Sequence, residues 1–253
     1  MLLTDVCPND TEALRVYESA VLDVANMEAI DLNVKLRLAL DEIVDDVLDI
    51  LLSHSTDFTA LSRRTRGVSD VVVTPQMKRW HALHTLEVFY RDAFNNQLND
   101  RYQAKSQEYH ELSRVARLHT VRFGIGLVNN PIPQADLPVV TFTIGAPPAA
   151  VFYIQVTWVS STGQEGAPSR LTAIASADGQ VPVIQATNPP PGAVGFNVYV
   201  SLTTDGLALQ NASPVAVGGS LALNQTGPVS GRAPGNGQAP DLYVTGGSNF
   251  IRG

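Results

Sequence analysis

Apolar residues recur every three or four positions through Trp80, Leu83, Leu86, Tyr90, Phe94, Leu98, Tyr102, Tyr109, Leu112 and Ala116, which predicts helix and not strand. Thr74 can cap this run, Pro75 suits a first helical position, and Gly124 offers a left-handed terminator. One helix from Thr74 to Gly124 would measure about 70 Å, far beyond what a single small core covers. Its stretch Asn99 to Glu108 is almost entirely polar, so two shorter helices meeting there remain an open alternative.

Upstream, Asn9 and Glu12 resemble a capping box, and Leu14, Tyr17, Val21 and Val24 fall on one helical face. A second helix is expected from about Leu32 to Leu52, with Leu36, Leu40, Ile43, Val44, Val47, Leu48 and Leu51 inward and Asp41, Glu42, Asp45, Asp46 and Asp49 outward. Between Ser53 and Val73 the pattern breaks into a connection with Arg63, Arg64 and Arg66, followed by the β-branched run Val71 to Val73. That run predicts a brief strand. Its partner would lie in another subunit or in a small local hairpin.

After Gly124 the period changes from helical to alternating. The segment IGLVNNPIPQADLP reads as a linker, and from Val139 short runs punctuated by turn residues follow: VVTFTI, VFYIQVTWVS, RLTAIA, VPVIQAT, GFNVYVS, LALQ and PVAVG. Strands at this spacing argue for an antiparallel sandwich. Tyr153 to Ser169, YIQVTWVSSTGQEGAPS, resembles the strand of fibronectin type III and related immunoglobulin-like modules that ends in a Gly, acidic, Pro and Ser signature. Gly195 to Ser201, GFNVYVS, is similar to their strand with an Asn-Val-Tyr core pattern. The order of the two segments departs from the usual one and leaves strand topology open. The resemblance implies a binding or spacing module without catalytic machinery.

The fold expected is multidomain α plus β: a helical domain over residues 1–123, a linker over 124–138, an immunoglobulin-like β-sandwich over 139–224, and an extended Gly/Pro-rich arm over 225–253. The arm carries Leu242, Tyr243, Phe250 and Ile251 in two apolar clusters too sparse for a core. They are the expected partner-binding residues, ordered only by a partner, so that removing Asp241 to Gly253 would leave the fold intact.

Charge changes this picture more than composition does. The net charge of -7 is distributed unevenly: residues 1–60 hold 13 acidic against 3 basic side chains, and residues 61–123 hold 6 against 11. An acidic helix and a basic one either complement each other, within a bundle or between subunits, or face separate partners such as DNA. Scattered arginines without interleaved aromatics favour the first reading. The single cysteine, Cys7, excludes an intrachain disulfide or a cysteine zinc cluster. A start with Asp5 and Pro8, and no apolar run of 18 residues, leads to the expectation of a soluble, non-secreted protein without membrane contact.

Candidate chemistry is sparse. His81 and His84 stand one turn apart without a third ligand at a recognisable spacing, and the helix carboxylates lack a Glu-x-x-His partner. The glycine pairs at 124–126 and 218–219 lack the lysine of a phosphate loop, and no Gly-x-Ser-x-Gly elbow occurs. No catalytic, metal or cofactor site is expected.

The layout of an acidic helical pair, a long helix, a basic connection, a grafted β module and a tail resembles head-to-tail adaptor, or connector, proteins of tailed bacteriophages, most strongly over Met1 to Phe123. The resemblance implies a structural virion protein of the neck region, assembled in the host cytoplasm into a ring, commonly twelvefold, that joins the portal protein to a tail or nozzle protein and continues the DNA channel. Non-specific contact with packaged DNA stays open. The competing expectation is a tail-fibre or adhesin-like protein that binds host glycans through the sandwich, with the helices as a stalk; the break at Lys105 and Ser106 weakens the sustained heptads a stalk requires.

Overall fold

A computed structural model describes residues 1–53 and 66–245. The helices are α1 (Thr11–Leu14), α2 (Val21–Met27), α3 (Leu32–Ser53), α4 (Pro75–Gln97) and α5 (Asp100–Phe123). The strands are β1 (Ile125–Leu127), β2 (Val139–Ile144), β3 (Ala150–Ser160), β4 (Thr172–Ser176), β5 (Gln180–Gln185), β6 (Ala193–Ser201), β7 (Ala208–Leu209), β8 (Val215–Ala216), β9 (Leu221–Ala222) and β10 (Leu242–Val244). The fold is mixed α and β, helical in its first half and antiparallel β in its second.

The chain divides into two compact units, with boundaries that differ from the expected ones. One unit combines Met1–Asp5 with Asn129–Ala239, the other Val6–Val128 with Pro240 onward. Residues 129–138 are not a free linker, because Ile132 and Ala135 enter the β core and the Ile132 N–H donates to Gln238 Oε1 at 2.6 Å. Residues 225–239 follow the β unit through backbone and amide bonds, such as Leu209 N–H to the Arg232 carbonyl at 3.0 Å.

In the helical unit the expected single rod is two helices. Leu98 adopts a left-handed conformation (φ 50°) that ends α4, and the Asn99 side chain accepts from the Arg101 N–H at 3.0 Å to start α5. The chain then folds back. Tyr90 of α4 stacks on Tyr109 of α5 with centroids 5.7 Å apart and planes 3° apart, and His84 lies level with Ser113. The hairpin resolves the coverage problem of a 70 Å stripe: each half buries the other. Leu98, placed in the inner stripe by its spacing, is 74% exposed at the turn.

α3 runs where expected, started by Asp31, whose carboxylate accepts from Asn33 N–H at 2.8 Å. Lys35 pairs with Asp92 at 2.8 Å, Glu42 pairs with His84 and the Leu36 carbonyl accepts from His81, so α3 packs against α4. The expected first helix is broken into α1 and α2, and its cap is Asp10, accepting from Ala13 N–H at 2.8 Å, instead of Asn9. Asn9 is drawn away by tertiary bonds to the Lys78 carbonyl and His81.

Val71 and Val72 are buried and pair with β1, with the Val72 N–H donating to the Gly126 carbonyl at 2.9 Å. β1 also pairs with β10 in the register Ile125 to Val244, Gly126 to Tyr243 and Leu127 to Leu242. The strand expected to seek another subunit therefore finds partners within its own unit, and part of the expected arm is an ordered strand there.

In the β unit the strands occupy the expected alternating runs, with β9 an addition. One sheet has the order β2-β5-β9 and the other β4-β3-β6-β7, with β8 also on β6. Both sheets feed one core: Phe152, Ile154, Val156 and Trp158 of β3 meet Phe196, Val198 and Val200 of β6 beneath Val181 and Ile184 of β5. Trp158 and Phe196 meet edge to face at 5.8 Å. Gly195 is required where β8 pairs with β6, because a Cβ there would lie 2.6 Å from the Val215 carbonyl oxygen.

Candidate functional site

The two histidines singled out by spacing go to different environments. His81 is fully buried; its Nε2 donates to the Leu36 carbonyl at 2.9 Å, which leaves Nδ1 to accept from Asn9 Nδ2 at 2.9 Å. Burial lowers its pKa to about 4, against a smaller opposing effect of the Leu36 carbonyl. His81 is thus a neutral packing residue between α3 and α4.

His84 lies between two carboxylates, Nδ1 at 2.9 Å from Glu87 Oε2 and Nε2 at 2.6 Å from Glu42 Oε2. Glu87 uses its other oxygen for His110 Nδ1 at 2.9 Å. Burial would lower the pKa of His84, but bonds and charge from Glu87 and then Glu42 raise it overall. Burial likewise opposes ionisation of Glu87, yet the two imidazoles bring its pKa down to about 2. Ser113 Oγ stands 3.4 Å from His84 Nδ1, an arrangement superficially like a nucleophile, base and acid. An imidazolium with both nitrogens donating to carboxylates cannot accept a hydroxyl proton, so the cluster is an ion-pair clasp joining α3, α4 and α5. The shallow depression beside it is lined by Glu87, Arg91, Ser106, Gln107, His110 and Glu111 and does not reach Ser113. Glu87 carried a signal in its three-residue spacing from His84; Glu42 came from another helix and carried none.

A second polar cluster lies in the β unit, on the segment that carries the fibronectin-like signature. Glu165 accepts from Tyr199 Oη at 2.8 Å, Thr157 Oγ1 at 3.2 Å, Asn197 Nδ2 and Arg232. Asn211 donates to Asn197 Oδ1 at 2.7 Å and accepts from Val198 N–H at 2.8 Å. Burial pushes the Glu165 pKa up, but Arg232 and Tyr199 prevail and hold it below its ordinary value. Every oxygen is occupied, so the network fixes the loop after β3 to β6 and offers no reactive group.

Among the described residues, no group of three or more His, Cys, Asp or Glu is placed to hold a metal ion, and no helix is long and apolar enough to cross a membrane. Asp41, Asp45 and Asp49 are exposed on α3, whereas Asp46 forms a bidentate pair with Arg117 of α5 at 2.8 and 3.1 Å. Of the expected arm residues, Leu242 and Tyr243 lie in β10, with Tyr243 56% exposed; Phe250 and Ile251 lie outside the described residues.

The largest unexplained feature is on the outer helix faces. α3 exposes Val34, Leu38, Leu48 and Leu52 on one stripe, and α5 exposes Leu112, Val115 and Leu118 on another. No protein-family model matches the chain, and a search of curated proteins returned no significant relative.

Proposed function

We propose that this chain is a non-catalytic structural subunit, a head-to-tail adaptor that forms a ring in the neck of a tailed phage particle, between portal and tail or nozzle proteins. The observation that carries the reading is the helical unit's surface: α3 and α5 each present a stripe of exposed apolar residues, the one on α3 set among Asp41, Asp45 and Asp49 and the one on α5 among charges of both signs. A monomer has no use for two such stripes, whereas a ring subunit needs two different faces. The occupied hydrogen-bonding capacity of His84 and Glu165 supports a role without chemistry.

The β unit is proposed to be an immunoglobulin-like module of the fibronectin type III kind. In support, both signature segments sit on the central antiparallel pair, with Trp158 opposite Phe196, and β2 with β5 forms a second layer over the same core. Such a module would serve as a spacer or docking unit. The folding back of α5 on α4 counts against a glycan-binding fibre with a helical stalk.

The test is location and assembly. Labelled antibody against the β unit should mark the neck of the source particle, and micrographs of the purified protein, alone or with portal, should show rings. Labelling of distal fibres, or a protein that stays monomeric with portal, would overturn the reading.

A further inference from the structure

We infer that the acidic outer stripe of α3 docks against the outer stripe of α5 in a second copy of this chain, the two helices running parallel in a head-to-tail contact. The inference deepens the adaptor reading and rests on it for the ring, but its geometry comes from α3 and α5 alone.

The charges along the two stripes have a matching order. On α3, exposed Arg37 precedes exposed Asp41, Asp45 and Asp49; on α5, exposed Glu108 and Glu111 precede exposed Arg114 and Arg122, with exposed His119 between these two. Laid parallel, Arg37 falls level with the glutamates, and Asp45 and Asp49 level with His119 and Arg122. Antiparallel pairing with Arg37 against Arg122 would bring Asp49 beside Glu111, leaving Asp45 with Arg114 as the one opposite-charge pair. The spans agree as well: Arg37 to Asp49 covers about 18 Å and Glu111 to Arg122 about 17 Å at the helical rise. The local pairs Glu111 with Arg114 and Glu108 with Lys105 are partly exposed and give way to an intersubunit partner at little cost.

The apolar positions add to the seam, with Leu38 level with Leu112 and Leu48 about one turn from Leu118. Symmetry then selects the contact. Pairing α3 antiparallel with a copy of itself would bring Arg37 to Asp49 but set Asp41 against Asp45 twice across the axis. A contact of α3 with α5 joins two different faces, so it is head-to-tail and repeats from copy to copy around a ring.

The experiment is charge reversal followed by sedimentation of the full chain. Wild type should self-associate, and Asp49→Arg or Arg122→Glu alone should each weaken association by about tenfold or more, because like charges meet at every interface. A one-to-one mixture of the two variants should restore association, since the reversed α3 of one meets the reversed α5 of the other and the native faces meet in turn. Circular dichroism of each variant at wild-type melting temperature establishes that the fold is intact; if either reversal unfolds the chain, Asp49→Asn and Arg122→Gln, which remove charge without reversing it, should still weaken association. Assembly of wild type unaffected by these changes, or failure of the mixture to recover, overturns this interface while leaving the adaptor reading standing. A wild type monomeric at every concentration and with portal overturns both.

Discussion

Lowering the pH should weaken the helical unit through one residue, His81. Its ring is fully buried with Nε2 donating to the Leu36 carbonyl and Nδ1 accepting from Asn9, a state that only the neutral imidazole can satisfy. The folded pKa lies at about 4, against 6.5 in the unfolded chain. The unfolded state therefore takes up the proton first, and stability falls as pH drops from 6.5 toward 4. At about 1.4 kcal/mol per tenfold, the loss attributable to His81 approaches about 3 kcal/mol. His81→Gln supplies a donor for Leu36 and an acceptor for Asn9 without titrating, so it isolates the effect. Urea unfolding followed by helical circular dichroism, at pH 7.5, 5.5 and 4, gives the free-energy gap between wild type and variant. That gap should move against wild type by about 3 kcal/mol over this range. A gap independent of pH would refute the assignment of a neutral buried imidazole.

His84 should behave with the opposite sign: its folded pKa is raised, so its stabilisation is complete below 6.5 and fades as pH rises through the folded value, and the gap between wild type and His84→Gln should be wider at pH 6 than at pH 8.5. Replacing Glu165 by Ala should destabilise the β unit by about 2–4 kcal/mol, since it strands Tyr199, Asn197 and Arg232 together, measurable by Trp158 fluorescence during unfolding. Because the Glu165 pKa is lowered, its stabilisation is present above 4.5 and lost as pH falls through the folded value. Ending the chain before Asp241 removes the β1 to β10 pairing and the Asp241 N–H bond to the Leu127 carbonyl at 2.8 Å, so the helical unit should melt earlier, by about 1–3 kcal/mol; unchanged melting would show that the strand contributes nothing.

Local periodicity and turn chemistry determined a good deal by themselves. The 3.6-residue period of α3 and the alternation of β2 to β6 are properties of each segment's own residues, since each must present one face to a core whatever that core is. The capping of α4 by Thr74 and Pro75 was equally local. What the local pattern could not decide was which surface each stripe covers. The periodicity from Trp80 to Ala116 is the same in a straight rod and in a hairpin; a left-handed Leu98 and the Tyr90 to Tyr109 stack became favourable only because each half covers the other. Asn9 lost its cap to Asp10 because His81, 72 residues away, needed its amide. Val71, β1 and β10 are too short to hold a sheet alone and gain their pairing from segments distant in the chain, Val71 from Leu127 and β1 from β10 more than 100 residues on, and the His84 clasp required Glu42 from another helix. Secondary structure was legible because it depends on neighbours in the chain, while the hairpin, the small sheet and the ion-pair clasp depend on neighbours in space.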